Sequence, residues 1–310
     1  MNKKERVEEI PSSIEYTKRK KCCICGESKF IKEASIEDFE FKTCKYDLLK
    51  CEKCGMYYTS PYPTDATLPN LYELRNSKNF DTKSLCIIDY LKTYLASKKI
   101  KSLIKGYDNP NISIAGFGCG NGRFALSFKR ILPAAEVTAI DFCKTSPFTN
   151  LSIHKNFIPN YIVTKDFWER SEKYDIILLR HVVEHVTNPK DFFVAILTKL
   201  NDNGYIYVEV PNIKNGLALL FNKWLPSYYP PYHVVHFTKQ NMEYLLRELN
   251  VDYELSYEEM PLMSNLIANM FHQKLNNFHR ILGILLHPLQ LLMCINQKTV
   301  LTVKIKKTSS

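Results

Sequence analysis

ISIAGFGCGNGRF, residues Ile112 to Phe124, is a short apolar run that opens into glycines at 116, 118, 120 and 122. Ile112 to Ala115 predicts a buried strand, and Phe124 to Ile131 predicts a helix that Pro133 stops. Strand, glycine-rich bend and helix in this order form a ligand-binding corner of α/β proteins. The dinucleotide fingerprint G-x-G-x-x-G needs glycine at 121 or 123, where Asn121 and Arg123 stand, so a nicotinamide dinucleotide is disfavoured. The spacing G-x-G-x-G suits a ligand that needs close approach of bare backbone without a pyrophosphate to cradle. Asp141 ends the next β-rich run, 19 residues after Gly122, where its carboxylate can accept two ribose hydroxyl hydrogen bonds. The plain alternative is a tight turn beside a solvated aspartate.

Further runs follow this corner. VTAID (Val137 to Asp141), YIVT (Tyr161 to Thr164), YDIILL (Tyr174 to Leu179) and YIYVEV (Tyr205 to Val210) are β-rich, with helical patterns between most of them. Such alternation argues for an α/β fold, a parallel sheet covered by helices on both faces. Upstream, the prolines of SPYPT mark a linker, and a helical stretch is expected from about Leu68 to Lys105.

The front of the chain has a different character. CCICGES and LLKCEKCGMYY each contain Cys-x-x-Cys-Gly, pairing Cys22 with Cys25 and Cys51 with Cys54. Four thiolates close a tetrahedral zinc shell, and a glycine after each second cysteine lets the chain turn. With every position filled by cysteine there is no place for a reactive water, so such a zinc is structural. The alternative is buried or redox thiols; Cys23 and Cys44 are spare to the four-cysteine set. The chain then divides into a zinc-ribbon-like module (1–60), a linker and helical cap (61–110) and a main domain (111–310) with an apolar insertion at 264–294.

The N-terminus MNKKERVEEIPSS lacks the apolar stretch of a signal peptide, and no apolar run reaches the roughly 18 residues of a membrane span, so a cytoplasmic location is expected. A net charge of +10 suggests an anionic partner. Residues 1 to 60 are nearly balanced, however, with 13 Lys/Arg against 11 Asp/Glu, which makes nucleic acid an unlikely ligand of the zinc module. KRKK at Lys18 to Lys21 reads as a solvated patch.

At this point the chain resembles the class I S-adenosylmethionine-dependent methyltransferases of the bacterial type that carry an N-terminal four-cysteine zinc module. The resemblance rests on CGMYYTSPYPT, AGFGCGNGRF, AID, YDIILLRHVVEHVTNP, NGYIYVEVPN and YPPYHVVHFT, and covers about residues 20 to 250, with a weaker match in TVLTVKI. It implies a Rossmann-like, doubly wound, mostly parallel seven-stranded sheet with an antiparallel last strand. By similarity Gly118, Gly120 and Gly122 face S-adenosylmethionine, Asp141 its ribose and Asp166 its adenine amino group. Members often carry an acid where this chain has Gly116, so the methionyl ammonium lacks an assigned partner.

LLRHVVEHV, Leu178 to Val186, carries His-x-x-Glu-His, a spacing also used by one class of zinc protease. A protease would present it on a long helix, whereas here a strand feeds the motif and VTNP closes it. Some related methyltransferases bind a divalent metal through Glu-x-x-Glu-His; this chain has His181 at the first acidic position, beside Glu184 and His185. A hydrogen-bonded structural role for Glu184 and His185 is the alternative, and His181 is expected to contact cofactor or substrate.

YPPYHVVHFT offers His233 and His236 as candidates for the base that takes the acceptor's proton, against the alternative of packing histidines on a rigid turn. The Asn/Asp-Pro-Pro-aromatic motif of amino-methylating enzymes is missing after the fourth strand, which favours oxygen as acceptor. The resemblance implies a small molecule or glycan, with sugars of cell-surface polysaccharides foremost. Two rivals stay open: an RNA methyltransferase, and a binding module that transfers nothing. The last 50 residues hold six Lys/Arg and no acid, next to ILGILLHPLQLLMCI. Packing onto the sheet, a lid or a dimer face is the ordinary reading, and peripheral contact with an anionic membrane through 264–294 the sharper one.

Overall fold

β-Branched and aromatic residues dominate the runs flanking the glycine corner, and their side chains leave the strands alternately to two separate cores. The computed structural model describes residues 14–38, 45–71, 87–106, 110–149, 157–273 and 275–308. Cys44, the first 13 residues and positions 72–86 of the expected helical stretch lie outside these.

In chain order the strands are β1 (Tyr16–Thr17), β2 (Phe30–Glu37), β3 (Lys45–Cys51), β4 (Tyr57–Ser60), β5 (Tyr62–Pro63), β6 (Ser113–Phe117), β7 (Glu136–Asp141), β8 (Asn160–Val163), β9 (Tyr174–Arg180), β10 (Leu200–Pro211), β11 (Val235–His236), β12 (Val251–Glu258) and β13 (Val300–Lys307). The helices are α1 (Ile87–Leu103), α2 (Arg123–Ile131), α3 (Thr164–Glu169), α4 (Pro189–Thr198), α5 (Ala218–Phe221), α6 (Lys239–Glu248), α7 (Met263–Met270), α8 (Asn277–Leu285) and α9 (His287–Met293).

Seven strands form the main sheet in the order β12-β13-β10-β9-β6-β7-β8. Pairing is parallel from β10 to β8, and β13 runs antiparallel to both its neighbours. This is the expected mostly parallel sheet with its antiparallel last strand. Strand order reverses between β6 and β9, so the carboxyl ends of β6, β7 and β9 open onto one crevice. On β9, Ile176 and Leu178 join Ile114, Leu103 and Phe128 on the face covered by α1 and α2. Ile177 and Leu179 join Ala115, Phe193 and Leu245 on the face covered by α4 and α6.

The four-cysteine region forms its own sheet, ordered β11-β4-β3-β2. Its last strand, β11, comes from the segment after β10, so the sheet crosses the expected boundary at residue 60. Cys22, Cys51, Met56 and Tyr58 are buried in one core with Val234, Phe237 and Met242. Between β12 and β13 the chain forms α7, α8 and α9. No helix among the described residues is long and apolar enough to cross a membrane.

Candidate active site

The corner after β6 depends on left-handed backbone at three glycines, with φ of 61° at Gly118, 52° at Gly120 and 70° at Gly122. A Cβ on Gly122 would lie 2.2 Å from the Phe148 ring, so no side chain fits there. Gly116, by contrast, has an ordinary φ and open space where a Cβ would go. Asp141 faces the bend: Gly120 N–H donates to its Oδ2 (2.8 Å) and Cys143 N–H to its Oδ1 (3.3 Å). Asp166 lies in the first turn of α3, exposed, after the end of β8. These residues line the carboxyl ends of β6, β7 and β8. Phe142, directly after Asp141, is 51 % exposed and offers an apolar surface beside the same crevice. Sequence reading passed over it, although an aromatic next to a strand-ending acid was the available signal.

β9 ends at Arg180, and His181 turns the chain with a φ of 52° while its N–H donates to Glu209 O (2.8 Å). A single 3₁₀ turn, Val183–His185, then buries Glu184. His181 Nδ1 lies 3.2 Å from Glu184 Oε1, whereas Glu184 Oε2 is buried with no hydrogen-bond partner among the described residues. Leaving a buried carboxylate oxygen unsatisfied is costly, so this atom asks for a partner.

Two imidazoles surround Glu184. His185 Nδ1 is 2.9 Å from Tyr232 O, and His233 Nδ1 is 2.8 Å from Ser227 O. A carbonyl only accepts, so each Nδ1 carries a proton, and in the neutral ring Nε2 keeps the lone pair. Glu184, His185 and His233 each offer one ligand atom, all within 4.8 Å of one another. Burial and the neighbouring His185 hold His233 well below the ordinary histidine pKa, partly opposed by the Ser227 carbonyl. His233 is thus a neutral ring, the form that ligates a metal.

His236 sits apart from this group. It is 2 % exposed, its Nε2 is 2.8 Å from Thr59 Oγ1, and burial pushes its pKa down to about 3. Thr59 Oγ1 also donates to His233 O (2.7 Å), and Val234 N–H donates to Glu184 O (2.9 Å). The histidines of YPPYHVVHFT therefore divide: His233 joins the Glu184 group, and His236 fastens β4 to the loop that carries His233.

Behind His181 lies a cavity of about 720 Å³ lined by Lys99, Arg180, His181, Tyr207, Glu258 and Thr302, among others. The buried Glu209 is held between Lys99 and Arg180, the latter with Nε 2.5 Å from Glu209 Oε2. The Arg180 guanidinium also lies over the Phe124 ring, 4.0 Å from its centre, tying the start of α2 to the end of β9. No sequence signal pointed to this network, because Glu209 looks like one polar residue in an apolar strand.

The family model described as a methyltransferase domain matches residues 89–255, more than half of the chain. The chain belongs to that family. It is an S-adenosylmethionine-dependent methyltransferase of class I fold. The ubiquinone biosynthesis O-methyltransferase of Rickettsia prowazekii is 27% identical over 208 residues, covering 65% of this chain and 80% of that protein. That of Roseobacter denitrificans is 24% identical over 123 residues, or 38% of this chain and 49% of the relative. Among solved structures, plantazolicin methyltransferase BpumL in complex with a monoazolic desmethylPZN analog and SAH shares the fold, with a TM-score of 0.50 at 18% identity over 79% of this chain and 93% of that one.

The methyltransferase also carries the four-cysteine cluster. Cys22 Sγ lies 3.4 Å from Cys54 Sγ and Cys25 Sγ 3.5 Å from Cys51 Sγ, close to the roughly 3.8 Å that tetrahedral thiolates adopt around zinc. The two halves repeat one geometry: Gly26 N–H donates to Cys22 O (2.9 Å) and Gly55 N–H to Cys51 O (3.0 Å). Both glycines have positive φ, 75° and 69°. Tyr58 Oη, 3.0 Å from Cys22 Sγ, is placed to donate to a thiolate. The donor set and its spacing fit zinc.

Proposed function

We propose that this methyltransferase moves the methyl group of S-adenosylmethionine to a hydroxyl oxygen of a small molecule, at a centre built from Glu184, His185 and His233. The observation that carries the reading is the buried Glu184 carboxylate, its Oε2 without a hydrogen-bond partner among the described residues, with ligand atoms of His185 and His233 within 4.8 Å and the Nδ1 of each ring turned to a backbone carbonyl. Metal-binding histidines ordinarily donate the other ring N–H to a carbonyl or carboxylate, as both do here. A divalent cation held by these three residues would lower the pKa of an acceptor hydroxyl. The carboxylate and two imidazoles suit a first-row ion and leave positions for the acceptor.

The chain's own residues supply the rest. Gly118, Gly120 and Gly122 give the sulfonium donor bare backbone to approach, with Gly116 opening space at its amino-acid end. Asp141 holds the ribose, Asp166 the adenine amino group, and Phe142 covers one face of the base. Fixing the donor on this side and the acceptor oxygen beside Glu184 aligns the oxygen behind the methyl group, which accounts for much of the rate in such transfers. His181 braces Glu184 from the cavity side. His233, depressed in pKa, is a poor lone base but a suitable ligand, and we assign no proton transfer to His236. Cys22, Cys25, Cys51 and Cys54 hold a structural zinc that stiffens β4, on which Thr59 positions the His233 loop.

Oxygen as acceptor accords with the absent amino-methylation motif and with the names of the ubiquinone relatives. Sugar hydroxyls and aromatic hydroxyls are the two arms of the test. The purified chain is incubated with S-adenosylmethionine and acceptors of each kind, with Mg²⁺, Mn²⁺ or Zn²⁺ added after mild chelation, and retention of cysteine-bound zinc is measured in parallel. The expected result is an O-methyl product whose formation needs the added ion. Folded protein that fails to bind S-adenosylmethionine, or that methylates nitrogen without a metal, would refute the proposal.

A further inference from the structure

Surface helices normally turn their apolar stripe inward and their polar residues out. α8 does the reverse. Its buried positions are His279 and Gly283, while Phe278, Ile281, Ile284 and Leu285 are 61–69 % exposed. α9 repeats the inversion: Gln290 is fully buried, and Leu289, Leu291 and Leu292 face out.

The inversion is fixed by close packing rather than by loose attachment. A Cβ on Gly283 would lie 2.0 Å from Ser264 Oγ, so α8 crosses α7 in backbone contact. Gln290 Oε1 accepts from Leu262 N–H (2.9 Å) and Met263 N–H (3.2 Å), and its Nε2 donates to Met260 O (2.8 Å). The segment around α5 joins the same layer. A Cβ on Gly216 would meet Met293 O at 1.8 Å, and Asn269 Nδ2 donates to Trp224 O (3.0 Å). α5 adds Leu219 and Leu220, 90 % and 69 % exposed.

Of the 19 exposed large hydrophobics among the described residues, 12 lie in this layer, at positions 219–220 and 271–295. A cluster of that size on a folded surface marks an interaction site. Charge identifies the partner. The sequence has no Asp or Glu from Val210 to Met242 or from Met260 to Ser310, while exposed Lys214, Lys223, Arg280 and Lys298 border the layer. Among the described residues, acids near it include Glu37, 3.8 Å from His272, Glu33, which acts on Tyr228, and Glu259, on the buried side against Gln290.

We infer that α5, α8 and α9 form a docking surface for an anionic lipid bilayer, with apolar side chains entering the acyl boundary and the lysines and arginine meeting headgroup phosphates. The surface is independent of the methyl-transfer proposal and is built on residues outside the Glu184 centre. It would bring the crevice to the membrane face.

The test uses the full chain in vesicle co-sedimentation with phosphatidylcholine alone and with added phosphatidylglycerol. Binding is expected to the anionic vesicles at low salt, weakening but persisting as salt rises. Ile281→Asp/Leu292→Asp should cut the bound fraction about tenfold or more. Both positions are exposed, so its melting temperature and affinity for S-adenosylmethionine should match the parent. Arg280→Glu/Lys223→Glu should abolish the preference for phosphatidylglycerol. The inference is overturned if the parent stays in the supernatant with anionic vesicles at low salt. It is equally overturned if light scattering shows a stable dimer that Ile281→Asp/Leu292→Asp dissociates, because the surface then belongs to a second copy of the chain.

Discussion

The two candidate metal clusters are built on opposite principles. The cysteine cluster would offer an ion four soft ligands from two local turns, each closed by its own glycine, which would fill its shell. The Glu184, His185 and His233 cluster uses one oxygen and two nitrogens, with His233 arriving from 48 residues beyond His185, and it leaves coordination positions empty. A filled shell can only hold structure, whereas an open one can take a substrate oxygen. The two are also joined: Asn241 Nδ2 donates to Gly55 O (3.3 Å) in the second cysteine turn and to His236 O (3.1 Å) beside β11. Damage to the first cluster should therefore spread to the second, but not the reverse.

The largest effect is expected from Cys54→Ala. Losing one ligand of a buried four-sulfur set removes the ion that the turns are built around, so zinc content should fall from about one per chain to near zero and the melting temperature by roughly 10 °C or more. Zinc analysis with calorimetry measures both, and a zinc-free parent of unchanged stability would break the comparison at its stronger end. Glu184→Gln should do the opposite, reducing kcat about 100-fold or more while zinc content and S-adenosylmethionine affinity stay within a few-fold. If Glu184→Gln instead unfolds the protein, the carboxylate is part of the packing and the open-shell reading fails.

A third variant separates the donor side from both clusters. Gly122→Ala forces a Cβ into left-handed backbone and against the Phe148 ring, at a cost of about 1–2 kcal/mol for the conformation before any clash. The bend should shift, and S-adenosylmethionine affinity measured by titration calorimetry should drop about tenfold while zinc content is unchanged. Gly116 has an ordinary φ and open space for a Cβ, so Gly116→Ala should lower affinity less than Gly122→Ala, through lost space alone and without a shift of the bend.

The same contrast explains what could be read in advance. The cysteine turns and the glycine corner are local, and their spacing along the chain already encodes the geometry. The parallel strands were legible for a related reason: burial on both faces makes continuous apolar runs such as YDIILL. β12, VDYELSYE, was not singled out although it alternates strictly, as its half-buried, half-exposed pattern shows. The Glu184 centre was half legible. His-x-x-Glu-His is one local cluster, but only the fold brings His233 beside Glu184 and His185, with His181 against Glu184 and His236 against Thr59. For 264–294 the sequence left packing onto the sheet, a lid or dimer face and membrane contact side by side, because apolar periodicity tells which residues share a face and not which way the face turns.

His236 provides the smallest and most specific test of the link between the clusters. In the folded chain its pKa is pushed down to about 3 by burial, whereas in the unfolded chain it should titrate near 6.5. Between those values the unfolded state binds the extra proton, so lowering the pH from 6.5 favours unfolding by up to about 1.4 kcal/mol per pH unit from this group. Above pH 6.5 the ring is neutral in both states and the contribution is constant. His236→Gln keeps a polar partner for Thr59 and removes the titration, so its stability should fall less steeply than the parent's between pH 6.5 and 4 in urea melts followed by circular dichroism. The effect should stay in stability and leave S-adenosylmethionine affinity alone. If the variant instead loses catalysis at unchanged stability, His236 is a catalytic residue and not the clasp between β4 and the His233 loop.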